Sequence, residues 1–390
     1  MIFPILTGLF VKKNIRYLLE KDIISMIYEI LLTCAIFTYL LVIILSVIPY
    51  RFPDGKLRKF PKVSAIVVSH NEEKVIETTL RKLKDSDYPN LEIILVDSSN
   101  DNTRNIARKY VNKIIKDPGI GKAYALNLGV EKSTGDILYF LDADTIVEKT
   151  TIRKLISSLD GYKVCTGMVL PLNKSTLLSR LGCLQLSTFN FGAVISKRLV
   201  NSTMLIGKNF VIFKKTLLSI GKFQGYLSED MNLSSRLYFQ DIKVNFTNAL
   251  CYEQVPERLN DLLKQQERWY FGGFSAINDS LGTSKVNLKA FLLLPVLSIT
   301  MFTPALSILF LVSFILTNNF LSISALILAF LTYFISIRFL DLDDVLFFPL
   351  TFAIYSIIQV YILVLVGVKN LFGIKIKWAR TEKNKISFIK

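Results

Sequence analysis

Histidine, cysteine, glycine and proline are all scarce in this sequence of 390 residues, which holds 1 His, 4 Cys, 18 Gly and 11 Pro. The single histidine, His70, excludes metal sites built on several histidines and argues against a Ser-His-Asp triad. The cysteines are widely scattered, so neither a disulfide scaffold nor a paired-thiol zinc site is expected. The low glycine and proline contents exclude collagen-like and low-complexity chains.

Acidic residues are also in deficit, because 31 Asp and Glu face 47 Lys and Arg and leave a formal net charge of +16. Such a balance suits nucleic acid, an anionic membrane surface or a phosphorylated substrate. Nucleic acid is not an expected partner, since binding it would need a basic patch with aromatic platforms. The membrane and a diphosphate substrate account for the positive charge.

Long apolar runs are abundant, by contrast, and lie within residues 24–50 and 291–368. The first contains one charge, Glu29, and exceeds the roughly 20 residues that a spanning helix needs. A cleaved signal peptide is the competing interpretation, but the run is too long for a signal core and no small-residue cleavage site follows it. The sequence therefore predicts a membrane protein with a globular middle.

The middle of the chain alternates short β-rich runs with charged helical ones, which predicts βαβ units and a parallel sheet. Polar clusters follow three of the predicted strands, at residues 69–72, 97–99 and 142–144. In open α/β sheets ligands bind beyond the carboxyl ends of the strands. We therefore expect these three clusters to meet at one edge of the sheet.

Asp142 and Asp144 come directly after a buried strand and present paired hard oxygen ligands, which Mg²⁺ or Mn²⁺ prefers. Taken alone, the pair is better explained by helix capping. Asp97 likewise opens a loop that could bind a nucleobase and ribose or merely cap the next helix. Lys122 does not belong to a Walker phosphate loop, whose spacing is absent, but a helix that begins there could meet an anion.

Two later motifs have both a structural and a functional interpretation. Glu229 and Asp230 open a predicted helix, where acidic residues usually match the helix dipole. Gln265, Arg268 and Trp269 share one face of another helix, which could simply rest on the bilayer surface.

The motifs in combination resemble one family. S-H-N-E, V-D-S-S, G-K-A-x-A-L-N, F-L-D-A-D-T, S-E-D and Q-Q-E-R-W follow one another over residues 61–275. This order resembles the membrane-integrated, processive-type family 2 glycosyltransferases, which include cellulose, chitin and hyaluronan synthases and ceramide glucosyltransferase. Two departures are His70 in place of the more usual Tyr and Ser228 in place of the Thr of T-E-D. Neither removes a reactive group.

The resemblance implies a role for each motif residue. It implies a UDP-sugar donor and a divalent ion, with Asp230 as the general base on the acceptor hydroxyl and Asp144 as the metal ligand. Single-base chemistry implies inversion, and Glu229 would help to raise the pKa of Asp230. The remaining implied positions bind or frame the nucleotide sugar and acceptor: Glu72, Asp97, Lys122, Asp142, Gln265, Arg268, Trp269 and, on a short match, Trp378 and Arg380.

Two acceptor classes stay open on the sequence. One is a growing polysaccharide that is secreted through the membrane spans. A channel is harder to build from the few crossings of one chain, but a homo-oligomer could complete it. The other is a membrane lipid, which would make the protein a glycolipid synthase. A non-catalytic, membrane-anchored nucleotide-sugar binder is the alternative of another class, although a mere binder would need no base.

The predicted fold class is an α/β GT-A domain, with a Rossmann-like, mostly parallel sheet, inserted between transmembrane helices. The basic charge of the tail favours its location on the cytoplasmic side of the membrane. Three full crossings after the catalytic domain would instead place the tail outside. One of the three apolar stretches is therefore expected to be re-entrant or interfacial, unless the preference of basic residues for the cytoplasmic side fails here. The predicted segments are an interfacial amphipathic segment (1–23), a transmembrane helix (24–50), the cytoplasmic catalytic domain (51–252), interfacial helices with Q-Q-E-R-W (253–290), transmembrane or re-entrant helices (291–368) and a basic cytoplasmic tail (369–390).

Overall fold

The computed structural model describes the backbone of residues 3–52, 59–225, 228–281, 288–339 and 342–374. Side chains are described in residues 23–52, 59–225, 228–273, 302–338 and 345–374.

An eight-stranded sheet organises the middle of the chain, in the order β3-β2-β1-β4-β7-β6-β8-β5. The first four strands in that order are mutually parallel, β7 runs antiparallel to both of its neighbours, and β6 pairs in parallel with β8. The expected α/β sheet is therefore confirmed, with a mixed rather than uniform strand direction. The strands are β1 (Val63–Ser69), β2 (Leu91–Asp97), β3 (Lys113–Lys116), β4 (Ile137–Asp142), β5 (Ile146–Val147), β6 (Val164–Pro171), β7 (Phe210–Phe213) and β8 (Val244–Glu253).

Helices cover the sheet and extend from it. Those of the central region are α2 (Ile76–Lys84), α3 (Thr103–Ala107), α4 (Lys122–Lys132), α5 (Thr151–Ser157), α6 (Leu177–Val200), α7 (Lys214–Ser219), α8 (Glu229–Phe239) and α9 (Leu259–Leu281). The flanking ones are α1 (Phe3–Val47), α10 (Leu288–Thr317), α11 (Phe320–Ser336) and α12 (Leu342–Leu371), with a 3₁₀ turn at Ile337–Phe339.

The central strands are buried on both faces, as parallel strands with helices on each side must be. Leu80 of α2 belongs to the core on one face, and Ile66 of β1 packs with α4 on the other. Gly129 allows α4 to approach β1 closely, because a Cβ there would lie 2.5 Å from the Ile66 side chain. This packing fixes the start of α4, and with it Lys122, at the carboxyl edge of the sheet.

Among the residues that the structure describes, two helical stretches, Ile23–Val47 and Val345–Leu371, are long and apolar enough to cross a membrane. The shorter apolar helices Phe302–Thr317 and Phe320–Ser336 lie between them in sequence. The helix α1 runs from Phe3 to Val47 without a break. The division of this region at residue 23, like the other predicted segment boundaries, remains a prediction.

The helix α12 contacts the central region near both of its ends. The Arg180 guanidinium of α6 lies 4.4 Å from the ring centroid of Phe347, near the start of α12. At the other end, Lys369 forms an ion pair with Glu267 of α9. Helices α6 and α9 therefore hold α12 at both ends.

Candidate functional site

One lysine, Lys122, brings two acidic motifs together at the carboxyl edge of the sheet. Lys122 Nζ lies 2.8 Å from Asp142 Oδ1 at the end of β4 and 2.9 Å from Glu229 Oε1 at the start of α8. With Asp230, these side chains form what we call the carboxylate cluster. Burial would lower the pKa of the Lys122 ammonium, but attraction by Asp142 and Glu229 outweighs it and raises that pKa. Lys122 is therefore charged and joins two motifs that lie 87 positions apart in sequence.

Asp230 is an acidic member of the cluster with a raised pKa. Its Oδ1 accepts a hydrogen bond of 2.8 Å from the Met231 backbone N–H, and the side chain packs on Gly207, where a Cβ would lie 2.3 Å from Asp230 Oδ2. Burial, and then the charge of Glu229, raise its pKa from 3.8 to about 6, although Lys122 acts in the opposite direction. A carboxylate of this kind can accept a proton near neutral pH.

A second cation, Lys208, which is partly buried, was not anticipated from the sequence. It pairs with Glu253 at the end of β8, and attraction by Glu253, Asp142 and Asp144 raises its pKa against the opposing effect of burial. No motif spacing marks Lys208 or Glu253, because the loop before β7 and the end of β8 meet only in the folded chain. Asp142 and Asp144 thus create a negative potential that attracts the Lys208 ammonium.

The capping alternative for Asp142 and Asp144 does not describe the structure. A turn follows Asp142, in which the Thr145 N–H donates to its carbonyl oxygen at 3.1 Å, and the next helix, α5, begins only at Thr151. In the neighbouring loop, Asp101 Oδ1 accepts a hydrogen bond of 3.0 Å from the Thr103 backbone N–H, just before α3, whereas the N-cap residue Asn102 makes no side-chain capping hydrogen bond.

Asp97 is fully buried and already engaged by protein groups. Its Oδ1 accepts hydrogen bonds from the hydroxyls of Ser69 and Ser99, both at 2.6 Å. Its Oδ2 lies 2.8 Å from Nη2 of Arg104. Arg104 was not predicted from the sequence, because it lies within α3 and outside the motifs. Glu72 lies at the same edge, and its backbone N–H donates to Thr103 Oγ1 at 2.8 Å.

The Q-Q-E-R-W segment lies on α9, which packs against α8 and α12. Gln265 is buried, and the ring of Trp269 lies 5.5 Å from that of Phe189 on α6. Arg268 is partly buried. Farther along α9, a Cβ on Gly273 would lie 3.1 Å from Met231 Cε, so this helix lies against the residue that follows Asp230. Trp378 and Arg380 lie outside the described residues.

Comparison with known proteins identifies the domain type. Residues 64–221 match the family model "Glycosyl transferase family 2". The poly-beta-1,6-N-acetyl-D-glucosamine synthase of Staphylococcus epidermidis is 27% identical over 257 residues, which cover 61% of this chain and 62% of that protein. The probable glycosyltransferase YdaM of Bacillus subtilis is 32% identical over 235 residues, covering 55% of this chain and 56% of that one. The chain therefore spans less than two thirds of the length of these relatives.

One solved structure shows the fold independently. The mannosyltransferase PcManGT of Pyrobaculum calidifontis, in complex with GDP-Man and Mn²⁺, superposes with a TM-score of 0.59 at 18% identity, and covers 89% of this chain and 98% of that one. The expected GT-A architecture is thereby confirmed.

Proposed function

We propose that this chain, which contains a family 2 glycosyltransferase domain, transfers a sugar from a UDP-sugar to a membrane-associated acceptor with inversion at the anomeric carbon. The observation that carries the proposal is the carboxylate cluster. Lys122 joins the carboxylate at the end of β4 to the acidic pair that opens α8, so one cation connects the expected donor side to the expected base.

The cluster divides the chemistry between its members. Glu229 is buried and paired with Lys122, which leaves Asp230, with a pKa of about 6, to accept the proton of the acceptor hydroxyl. Lys122, together with Arg268 from α9, would stabilise the negative charge that develops on the leaving diphosphate. With a base on only one side of the sugar, an α-linked donor gives a β-linked product.

A divalent ion fits the residues at the end of β4. Among the side chains described, no group of three or more His, Cys, Asp or Glu converges as a complete cage. Mg²⁺ and Mn²⁺ in nucleotide sites usually take only one or two carboxylates and complete their shell with substrate phosphates and water. Asp144, with Asp142 beside it, would hold such an ion, which would neutralise diphosphate charge when bound. The Mn²⁺ in the PcManGT complex is consistent with this choice.

The acceptor is proposed to be a growing polysaccharide. This choice follows the poly-beta-1,6-N-acetyl-D-glucosamine synthases among the relatives, for which the sugar would be N-acetylglucosamine. The candidate spans Ile23–Val47 and Val345–Leu371 favour a membrane-bound enzyme.

The test is transfer by the purified full chain in detergent and lipid, supplied with a panel of UDP-sugars and Mn²⁺. We expect one UDP-sugar to be consumed and a product of increasing length to form, with Asp230→Asn as the inactive control. A product containing one sugar on a lipid would instead identify a glycolipid synthase. Binding of UDP-sugar without consumption of any donor would identify a non-catalytic binder and refute the proposal.

A further inference from the structure

The ion pair between Lys208 and Glu253 has no part in the proposed chemistry. Glu253 ends β8 and is 2% exposed, so it lies in the interior of the domain. Of the two side chains, that of Lys208 is 19% exposed and that of Glu253 only 3%. The lysine is therefore the member of the pair that an incoming ion or ligand meets, while the buried carboxylate holds its ammonium in place.

The pairing of β5 with β8 brings this ion pair beside the metal ligand expected at Asp144. The two strands are antiparallel, with Ile146 across from Tyr252. Continued by one residue, this register places Thr145 across from Glu253, and the residue before Thr145 is Asp144. The end of β8 therefore lies beside the turn that carries Asp144.

The backbone around Lys208 is fixed by the residues on both sides of it. The next residue, Asn209, donates from Nδ2 to the Ala249 carbonyl oxygen of β8 at 2.9 Å. The preceding residue, Gly207, lies against Asp230, since a Cβ there would lie 2.3 Å from Asp230 Oδ2. Because both neighbours are held, the Lys208 side chain starts from a fixed position between β8 and the expected base.

Two positive charges lie at the expected ion site before any substrate binds. The Lys122 ammonium lies 2.8 Å from Asp142 Oδ1. Burial would lower the pKa of Lys208, but the charge of its partner Glu253, and then those of both aspartates, raise it. A divalent ion that approaches Asp144 is therefore repelled by two ammonium groups. The diphosphate of the donor brings negative charge that offsets this repulsion, and it supplies oxygen ligands to the ion.

We propose that Lys208 opposes binding of the divalent ion at Asp144, so that the ion binds tightly only together with the donor's diphosphate. This inference rests on the proposed function. It predicts a coupling between the two ligands, in which UDP raises the affinity for the ion and the ion raises the affinity for UDP by the same factor, as linkage requires. Glu253 is then a positioning residue, because it acts through Lys208.

The experiment measures Mn²⁺ binding to the full chain in nonionic detergent, from the electron paramagnetic resonance signal of free Mn²⁺, with and without UDP. In the wild type, UDP is expected to raise the Mn²⁺ affinity at least about tenfold. Lys208→Gln removes the charge and keeps a hydrogen-bond donor for Glu253. Without UDP, this variant should bind Mn²⁺ at least about fivefold more tightly than the wild type, which corresponds to about 1 kcal/mol. The effect of UDP should shrink by a similar factor.

Two further variants control for effects other than the charge of Lys208. Lys208→Arg keeps a positive charge beside Glu253 and should retain the wild-type Mn²⁺ affinity. Lys163→Gln removes an exposed positive charge just before β6. Because β6 pairs with Glu253 at its other end, this substitution lies far from the site, and the variant should also bind Mn²⁺ as the wild type does.

The arms of the experiment separate the possible failures. A folded Lys208→Gln variant that binds Mn²⁺ no more tightly than the wild type would overturn the inference, as would a gain of affinity in Lys208→Arg. Equal Mn²⁺ affinity of the wild type with and without UDP, while calorimetry shows that UDP binds, would do the same without any variant and would leave the proposed transfer reaction standing. Failure of the wild type to bind Mn²⁺ even with UDP would refute the proposed metal together with the inference, and failure to bind UDP would refute the proposed donor with it.

Discussion

Replacing Asp230 by Asn is expected to stabilise the protein at neutral pH while it abolishes sugar transfer. The pKa of Asp230 is raised from 3.8 to about 6, first by burial and then by the charge of Glu229. The folded chain therefore holds this proton more tightly than the unfolded chain does. The resulting stabilisation is fully present below pH 3.8 and is lost as the pH rises through about 6.

The magnitude follows from the two pKa values. Their difference corresponds to at most about 3 kcal/mol. Because Asp230 is partly exposed, screening by water reduces the expected effect to about 1–2 kcal/mol. Asn has nearly the same size, so it fits against Gly207 and resembles the protonated acid. The variant should therefore denature several degrees above the wild type at pH 7.5, at roughly 2–4 °C per kcal/mol, and the difference should shrink towards pH 4.

The assay is thermal denaturation in detergent at several pH values, paired with UDP titration and a transfer assay. Retained UDP binding with lost transfer would identify the base, since an amide cannot take the acceptor proton. Asp136→Asn, which removes an exposed carboxylate just before β4, controls for removal of a negative charge as such. A variant less stable than the wild type at pH 7.5 would mean that the Asp230 carboxylate supports the fold, and the assignment as base would be abandoned.

Three further predictions concern the rest of the site. Asp144→Ala should abolish turnover while the melting temperature of the variant stays within a few degrees of the wild-type value. EDTA should likewise abolish turnover by the wild type. Turnover that survives either the substitution or EDTA would refute the assignment of Asp144 as a metal ligand. Arg268→Lys keeps the charge but loses the planar fork that can meet two phosphate oxygens, so turnover should fall at least about tenfold with membrane association unchanged; activity near wild type would favour simple anchoring of α9. Arg104→Ala leaves the buried Asp97 without its ionic partner and should destabilise the chain by about 1–3 kcal/mol, measured by denaturation, with Arg104→Lys as the partial rescue; an unchanged melting temperature would show that the pair contributes little.

The α/β sheet and the edge at which its polar residues meet were predictable from the sequence. Strand periodicity is local, and the rule that parallel strands present their carboxyl ends together needs no coordinates. The order of motifs was likewise enough to predict the domain type. Asp142 and Lys122 could be named in advance because they stand where a strand ends and where a helix begins.

Contacts between distant segments were decided only by the tertiary structure. Nothing near Lys208 in sequence predicts that it meets Glu253, because that pairing depends on how the loop before β7 approaches the end of β8. The hydrogen bond from the Ser69 hydroxyl to Asp97 depends in the same way on the pairing of β1 with β2. The proton affinity of Asp230 could be anticipated only in direction, since burial is its largest cause and burial is a property of the folded chain.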